Sequence, residues 1–497
     1  MQRQFYIFAL VAIFSAPLHA APGSLSQVPL FIASPTQPNI FFMLDDSGSM
    51  DWNMPADGLS GSNLISMTQY DTTPNNNDEW RTWCAGANLL AYNSSVTYIP
   101  WAANIPGTNT PFPDQTDITR VQSNPLYTGS GYNSDTSVTI NNDYNYRYNL
   151  SEAPVVQWTD SNSNGTYDNG ECPTSFGTHA KKASSLSQAE RTNFANWFSY
   201  YRSRERTAKS AVTQVISTSS ARMGMATLHH NNGVGKAITN MAIPANKQTL
   251  LSDIVNITSS GGTPLRNGLN WVGQYFDNSS STPSSLNLGN GTPKPILSDV
   301  DGGSCQQNFA MLMTDGQWNG SDPSNIGHQD KDIDNVYVWP AHRDTNQKTL
   351  ADVAMKWFKT DLAPSLSNDV PVQKGSNTQN LDENNQQHLV TFGVAFGATG
   401  TLTNDPTDRT QNFTWPNPKS DKIETVDDLR HAAYNGRGMF LSASKPEELI
   451  SALQNVITNI ESRAGSSSAV AFNMSTLSTD TLLFFAGFNP TNWTGNL

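Results

Sequence analysis

The chain is poor in charge. Only 14% of its 497 residues are Asp, Glu, Lys or Arg, and 42 acids against 29 bases leave a formal net charge of -13. That balance argues against nucleic-acid binding, which needs clustered basic side chains against phosphate. Cysteine is nearly absent: Cys84, Cys172 and Cys305 are the three present, and none has the spacing of a metal ligand. Histidine is scarce too. The eight are scattered, and no His-Glu-x-x-His, Gly-x-Ser-x-Gly or phosphate-loop pattern occurs. Gly233-Val-Gly-Lys236 lacks the spacing and the following Ser or Thr of a phosphate loop. These absences argue against an enzyme. His388 and His431 fall in or beside core elements and read as satisfied core residues, while His229-His230 ends a strand without acidic neighbours.

Long apolar runs are missing beyond the first twenty residues, so no membrane span is expected there. Residues 1–20 read as a secretory signal, with Arg3 at the start, Phe5 to Phe14 as a short apolar region and Leu18-His19-Ala20 before cleavage. The expectation is an exported chain. In an oxidising compartment one cysteine pair forms and one thiol is left over.

What is present is organised around Asn39 to Met50. Four apolar residues, Phe41 to Leu44, have the bulk of a buried strand, and Asp45, Ser47 and Ser49 follow at alternate positions in a Gly-containing turn. A second apolar run, Asn308 to Thr314, stops at Asp315-Gly316. Between them, Gly261-Gly262-Thr263-Pro264 predicts a helix start with Thr263 at the N-cap and Pro264 at the first helical position. Asp45, Ser47, Ser49, Thr263 and Asp315 supply only hard oxygen donors, which suit Mg²⁺, Mn²⁺ or Ca²⁺ rather than zinc.

This set resembles the metal-ion-dependent adhesion site of von Willebrand factor A domains. The resemblance implies that the serines and threonine ligate Mg²⁺ or Mn²⁺ by hydroxyls and that the aspartates act mainly through water. A partner's acidic side chain then completes the octahedron. The strand–helix alternation predicts an α/β fold with a doubly wound, Rossmann-like sheet over 21–463.

Residues 51–185 depart from that plan. The stretch is rich in Asn, Ser, Thr, Gly, Tyr and Trp with little helical periodicity, and it predicts an inserted lobe of loops and short strands. Trp80, Trp83, Tyr98, Trp101 and Tyr132 are expected to form the lobe's own small core, with ligand contact as the second reading. Cys84 and Cys172 share the insertion and are the expected disulfide. Asp160-Ser-Asn162-Ser-Asn164-Gly165-Thr166-Tyr-Asp168-Asn-Gly-Glu171 fits a calcium loop of the EF-hand type position by position, with flanks that are not helical. Ca²⁺ on Asp160, Asn162, Asn164, Thr166, Asp168 and Glu171 is expected to stiffen the lobe.

After the insertion, Ser187 to Ile216 reads as one long helix opened by a Ser187/Glu190 capping box. Strands are expected at Ala221 to Leu228, Leu389 to Phe396 and Gly438 to Leu441, and helices at Thr249 to Ile257 and Thr349 to Leu362. A last helix is expected after Ser444-Lys-Pro446-Glu447. Asp330, Asp332 and Asp334 alternate without a closing Glu and read as a solvated acidic edge. Residues 464–497 read as a linker and the start of a β-rich domain that breaks off in mid-pattern.

Several segments together resemble the PilC/PilY family of secreted proteins associated with the tip and assembly of type IV pili. They are Asn193-Phe-Ala-Asn-Trp-Phe-Ser-Tyr-Tyr-Arg-Ser-Arg204, Cys305 to Gly316, Thr349-Leu-Ala-Asp-Val-Ala354, Asp427 to Gly438 and Trp493-Thr-Gly. The resemblance implies an A-like region ahead of a calcium-binding β-propeller. It also implies roles in pilus biogenesis, surface adhesion and twitching motility, at the cell surface, pilus tip or outer membrane. The implied partners are pilins or minor pilins at the tip and a host or surface ligand that offers a carboxylate. Two readings follow: metal-dependent adhesion, or a structural role in tip assembly, priming or force sensing, with metals only stabilising the fold.

Overall fold

The computed structural model describes residues 36–52, 69–75, 77–127, 129–133, 139–141, 146–165, 167–229, 235–465, 487–489 and 494–496. Six strands make the central sheet: β1 (Asn39–Leu44), β2 (Arg222–Thr227), β3 (Gly235–Asn240), β4 (Asn308–Thr314), β5 (Leu389–Phe396) and β6 (Arg437–Ala443). Their order is β3-β2-β1-β4-β5-β6, parallel throughout except for antiparallel β3 at one edge. β1 and β4 are buried along their whole length because helices cover both faces of the sheet.

Alternation along β1 assigns the two faces. Ile40, Phe42 and Leu44 share a core with Phe194 and Trp197 of α1 (Gln188–Tyr200), Val212 of α2 (Arg204–Thr218), Ile254 of α3 (Pro244–Val255) and Leu453 of α7 (Pro446–Gly465). Phe41 and Met43 face the other way. They join Leu269 of α4 (Leu265–Phe276), Trp357 of α5 (Leu350–Lys359) and Leu429 of α6 (Glu424–Asn435). The fold is a mixed α/β sandwich around a parallel-rich sheet.

The expected single helix from Ser187 is two. The Ser187/Glu190 capping box is formed, but α1 ends at Tyr200 and Ser203 caps a new start by accepting from the Arg206 amide. Between them Arg202 is fully buried. Its guanidinium donates to the carbonyls of Phe198, one turn earlier, and Ser123, in the segment before α1, so the break accompanies a buried tie between the two. Other boundaries move less. α3 begins at Pro244 rather than Thr249, and the last helix is capped by Glu448, not Glu447, through the Ser444 and Lys445 amides.

The segment from residue 69 to 185 carries short strands paired as Gln69–Asp71 with Thr139–Asn141, and Pro154–Val156 with Ala180–Lys182; Val121–Gln122 and Tyr132–Asn133 both pair with Arg147–Tyr148. Its aromatics do not form a core of their own. Trp80, Trp83, Tyr98 and Trp101 are buried in one continuous cluster with α1, α2 and β1. Trp83 lies against Phe194 and Trp197, and the Trp101 indole donates to the carbonyls of Tyr200 and Arg206. Tyr132 is the exception: it is exposed, with the Arg120 guanidinium 4.4 Å from its ring centroid. Cys84 and Cys172 form a disulfide across 88 residues, and Cys305 is free.

The expected signal, residues 1–20, lies outside the described residues. Of 464–497, the structure describes the end of α7 and an antiparallel pair, Gly487–Asn489 with Thr494–Asn496. Among the described residues no helix is long and apolar enough to cross a membrane.

Candidate functional site

Strand order reverses between β1 and β4, with β2 and β3 to one side and β5 and β6 to the other. In an open parallel sheet the crevice for a ligand opens at the carboxyl ends of the two strands flanking such a reversal. Asp45 directly follows β1 and Asp315 directly follows β4.

Three separate stretches meet there. The Asp45 amide donates to the carbonyl of Met313, and the Thr314 hydroxyl donates to Asp45 Oδ2 at 2.6 Å. The Ser47 amide donates to Asp45 Oδ1, and the Ser47 and Ser49 hydroxyls lie 3.1 Å apart. The third stretch is tied in by backbone bonds, from the Gly48 amide to the Gly261 carbonyl and from the Ser260 amide to the Asp46 carbonyl. Gly261 has φ +92°, open to glycine, and the ring of His229 packs where a Cβ would project. His229 Nε2 donates to the Gly262 carbonyl, so this histidine supports the loop; His230 lies outside the described residues.

Thr263 is held by a mutual pair with Asn319, its amide donating to Asn319 Oδ1 and its carbonyl accepting from the Asn319 amide. The helix starts one residue later than expected. Pro264 is the N-cap and makes no side-chain cap, so the Thr263 hydroxyl is not spent on capping α4.

Electrostatics favour a cation. Burial and the nearby Asp315 carboxylate push the Asp45 carboxyl up to about 7, against hydrogen bonds from Ser47 and Thr314 that lower it. One residue outside the expected set modifies the site. Arg204, at the start of α2, pairs with Asp315 Oδ2 at 2.6 Å, both side chains being almost fully buried. Arg204 also stacks near Trp52, its guanidinium 5.3 Å from the ring centroid. Arg204 closes the Asn193–Arg204 segment, which carried no reading as a site, and the register of α2 against the sheet edge brings it to Asp315. Two buried acids, two serine hydroxyls and a threonine fit a hard divalent ion, with Arg204 balancing one of the charges.

The loop from Asp160 to Glu171 is compact and has no helix on either side. It follows the strand Pro154–Val156 and runs into the disulfide at Cys172. The amides of Asn164 and Gly165 donate to Asp160, and Gly165 has φ +75°. Glu171 closes the loop by accepting from Ser161 and Asp168; those amides hold its carboxyl down at about 2. Asn162 and Asn164 point amide nitrogens at Asp168 Oδ2 at 2.7 and 2.8 Å. A half-turn of either amide exchanges its nitrogen for an oxygen, the donor a calcium ion requires. Asp160, Asn162, Asn164, Asp168 and Glu171 are thus gathered in one loop, while Thr166 lies outside the described residues.

The two histidines expected in the core, His388 and His431, agree with that role. His388 is buried against Asp382, and His431 is buried with its Nε2 donating to the His342 carbonyl. The acidic stretch does not read as expected. Asp332 and Asp334 are exposed, but Asp330 is fully buried beneath α5 and α6 rather than solvated.

No family model matches the chain. The chain is 29% identical over 520 residues to the Type IV pilus biogenesis factor PilY1 of Pseudomonas aeruginosa strain UCBPP-PA14, covering 93% of this chain and 41% of that protein. It is 25% identical over 553 residues to PilY1 of P. aeruginosa strain PAK, covering 96% of this chain and 44% of that one. The chain therefore spans less than half the length of these curated relatives. Among solved structures, the vWF domain of the type V pili tip protein Mfa5 from Porphyromonas gingivalis overlaps 52% of this chain and 88% of its own. At 11% identity and a TM-score of 0.23 that overlap is too loose to carry an argument. The PilC/PilY resemblance read from scattered segments extends through nearly the whole chain, as similarity to PilY1 proteins.

Proposed function

We propose that this chain is an exported component of type IV pilus biogenesis. Its α/β domain is of the von Willebrand factor A kind, and it contacts partners through a divalent cation at the carboxyl edge of the sheet. The observation that carries the reading is the meeting of Asp45, Ser47 and Ser49 with Thr263 and Asp315 at the point where strand order reverses. Similarity to PilY1 over more than nine-tenths of the chain supports the pilus context.

In this reading Ser47, Ser49 and Thr263 hold Mg²⁺ or Mn²⁺, with Asp45 and Asp315 behind them. The ion would supply Lewis acidity toward a carboxylate on a pilin, a minor pilin or a surface ligand. The chain's own contribution is positional. Thr314 and the Ser47 amide orient the Asp45 carboxylate, the Gly48–Gly261 bond sets the distance between the loops, and Arg204 fixes Asp315. Ca²⁺ in the 160–171 loop would rigidify the segment that the Cys84–Cys172 disulfide already ties to the Asn77–Thr82 helix.

One observation favours the alternative, a structural tip-assembly or force-bearing role with metals only stabilising. The Arg204–Asp315 pair neutralises part of the edge without any ion. Asp45→Ala in the full chain separates the two. Calorimetry with Mg²⁺ and Mn²⁺ should lose the sheet-edge binding while Ca²⁺ binding at the 160–171 loop persists. Loss of surface attachment with pilus number unchanged supports adhesion. Unchanged attachment in a variant that no longer binds the ion rejects it in favour of the structural role.

A further inference from the structure

We infer that His328, Asp330 and Asp344 form a third metal centre, one that takes a transition ion such as Zn²⁺ or Co²⁺ rather than the hard ions of the other two sites. One nitrogen or oxygen from each residue lies within 4.8 Å of the other two. His328 Nε2 stands 3.3 Å from Asp330 Oδ1 and 3.6 Å from Asp344 Oδ1. Ligands about 2.1 Å from a tetrahedral zinc are separated by roughly 3.4 Å, the edge of the tetrahedron. An imidazole donor selects against Ca²⁺ and Mg²⁺ and for zinc and its neighbours.

Acidic clusters are common, so the case rests on atoms left without partners. Asp330 is fully buried, and its Oδ1, the oxygen aimed at His328, accepts no hydrogen bond; buried His328 Nε2, facing it, has none either. The other polar atoms around them are held. Asp330 Oδ2 accepts from the Asn435 amide at 2.9 Å, and Asp344 is fixed by the backbone and side chain of Asn346. Two further buried carboxylates nearby are fully used: Asp352 caps α5 through Thr349, and Asp428 accepts from the Leu350 and Ala351 amides and the Trp318 indole.

The cluster has a surplus of negative charge. Among the described residues no lysine or arginine pairs with Asp330 or Asp344; only His328 and His431 approach them. The unpartnered Asp330 Oδ1 is therefore placed to take a cation or a proton. His328, on the surface side of the cluster, also lines a cleft of about 330 Å³ together with Thr345, Asn346 and Lys348.

The test is Co²⁺ and Zn²⁺ binding to the chelator-treated full chain, with Asp330→Asn and His328→Gln beside the wild type. Asp330→Asn keeps the shape and the Asn435 contact, and His328 stands partly open to solvent, so both variants should fold. The wild type should bind one equivalent of Co²⁺ with the visible absorption of a low-coordinate, nitrogen-ligated ion, and Zn²⁺ should displace it. Each variant should lose that equivalent while Asp45→Ala retains it. In chelator, Asp330→Asn should melt no lower than the wild type, and Zn²⁺ should raise the melting temperature of the wild type alone. Absence of the Co²⁺ spectrum in the wild type, or equal binding by the variants, would overturn the assignment and leave a protonated Asp330 in its place.

Discussion

The loop from Asp160 to Glu171 and the edge formed by Asp45, Thr263 and Asp315 gather similar oxygen donors by opposite means. The loop is local. Its carboxylates range from exposed Asp168 to buried Glu171 and are held by groups a few residues away, as the Ser161 and Asp168 amides hold Glu171. The edge is topological. Thr314, which orients Asp45, is 269 residues distant in sequence, and Asp315 is neutralised by Arg204 from a helix that no local rule connects to it. A local site can form once its turn is made, whereas an edge site exists only when the whole sheet has closed. Damage at the edge should therefore register as lost stability, and damage in the loop chiefly as lost ion affinity.

The largest expected effect is at the edge. Arg204→Leu leaves the Asp315 carboxylate buried without its partner, and removing one member of a buried pair costs about 3–5 kcal/mol. Denaturant unfolding in the presence of chelator should show that loss, with Mg²⁺ or Mn²⁺ restoring part of it. Asp168→Ala, at an exposed position, should shift stability by less than about 1 kcal/mol. Equal losses from the two substitutions would erase the distinction.

The same contrast governs what was legible in the sequence. The 160–171 loop was readable residue by residue because its donors and its left-handed Gly165 obey a contiguous pattern. The five edge residues were readable only because they follow an apolar run, directly or in its turn, or stand at an expected helix start, and a resemblance joined them. Arg204 was invisible as a site residue, since its role depends on where a buried α2 lands. The strands β1, β4 and β5 announced themselves as apolar runs. β3, an edge strand of half-buried residues such as Lys236 and Thr239, did not. α6 was missed for the opposite reason: its buried face includes Thr425, Asp427, Asp428 and His431, which hydropathy counts as surface. Asp330 was misjudged in the same way, because three alternating aspartates look solvated until α5 and α6 cover the first of them.

Smaller is the effect of the disulfide, which tests whether the loop depends on its anchor. Cys84→Ser with Cys172→Ser frees an 88-residue segment and should cost about 2–4 kcal/mol, within the usual range for a native bridge. Because Cys172 directly follows Glu171, calcium affinity should fall in this variant while Mn²⁺ binding at the edge is unchanged. Calorimetry with each ion on the oxidised wild type and the double variant reads both. A parallel loss of Mn²⁺ binding would mean that the loop and the edge are coupled through the aromatic cluster around Trp83 and Trp197.

The smallest expected effects come from the two glycines that shape the sites. Both have positive φ, so alanine at either position carries a backbone penalty of about 1–2 kcal/mol. Their surroundings differ. A Cβ at Gly165 meets nothing within 4 Å, whereas one at Gly261 comes within 3.0 Å of the His229 ring. Gly165→Ala should therefore lose about 1 kcal/mol and weaken calcium binding several-fold, with unchanged Mn²⁺ binding. Gly261→Ala must also displace His229 from the Gly262 carbonyl, so it should destabilise more and weaken Mn²⁺ binding instead. Thermal melts of both variants, each measured with and without either ion, check the pair. Should Gly165→Ala prove the more damaging, the loop would be no independent turn, and its geometry would have to be imposed by the helices it packs against.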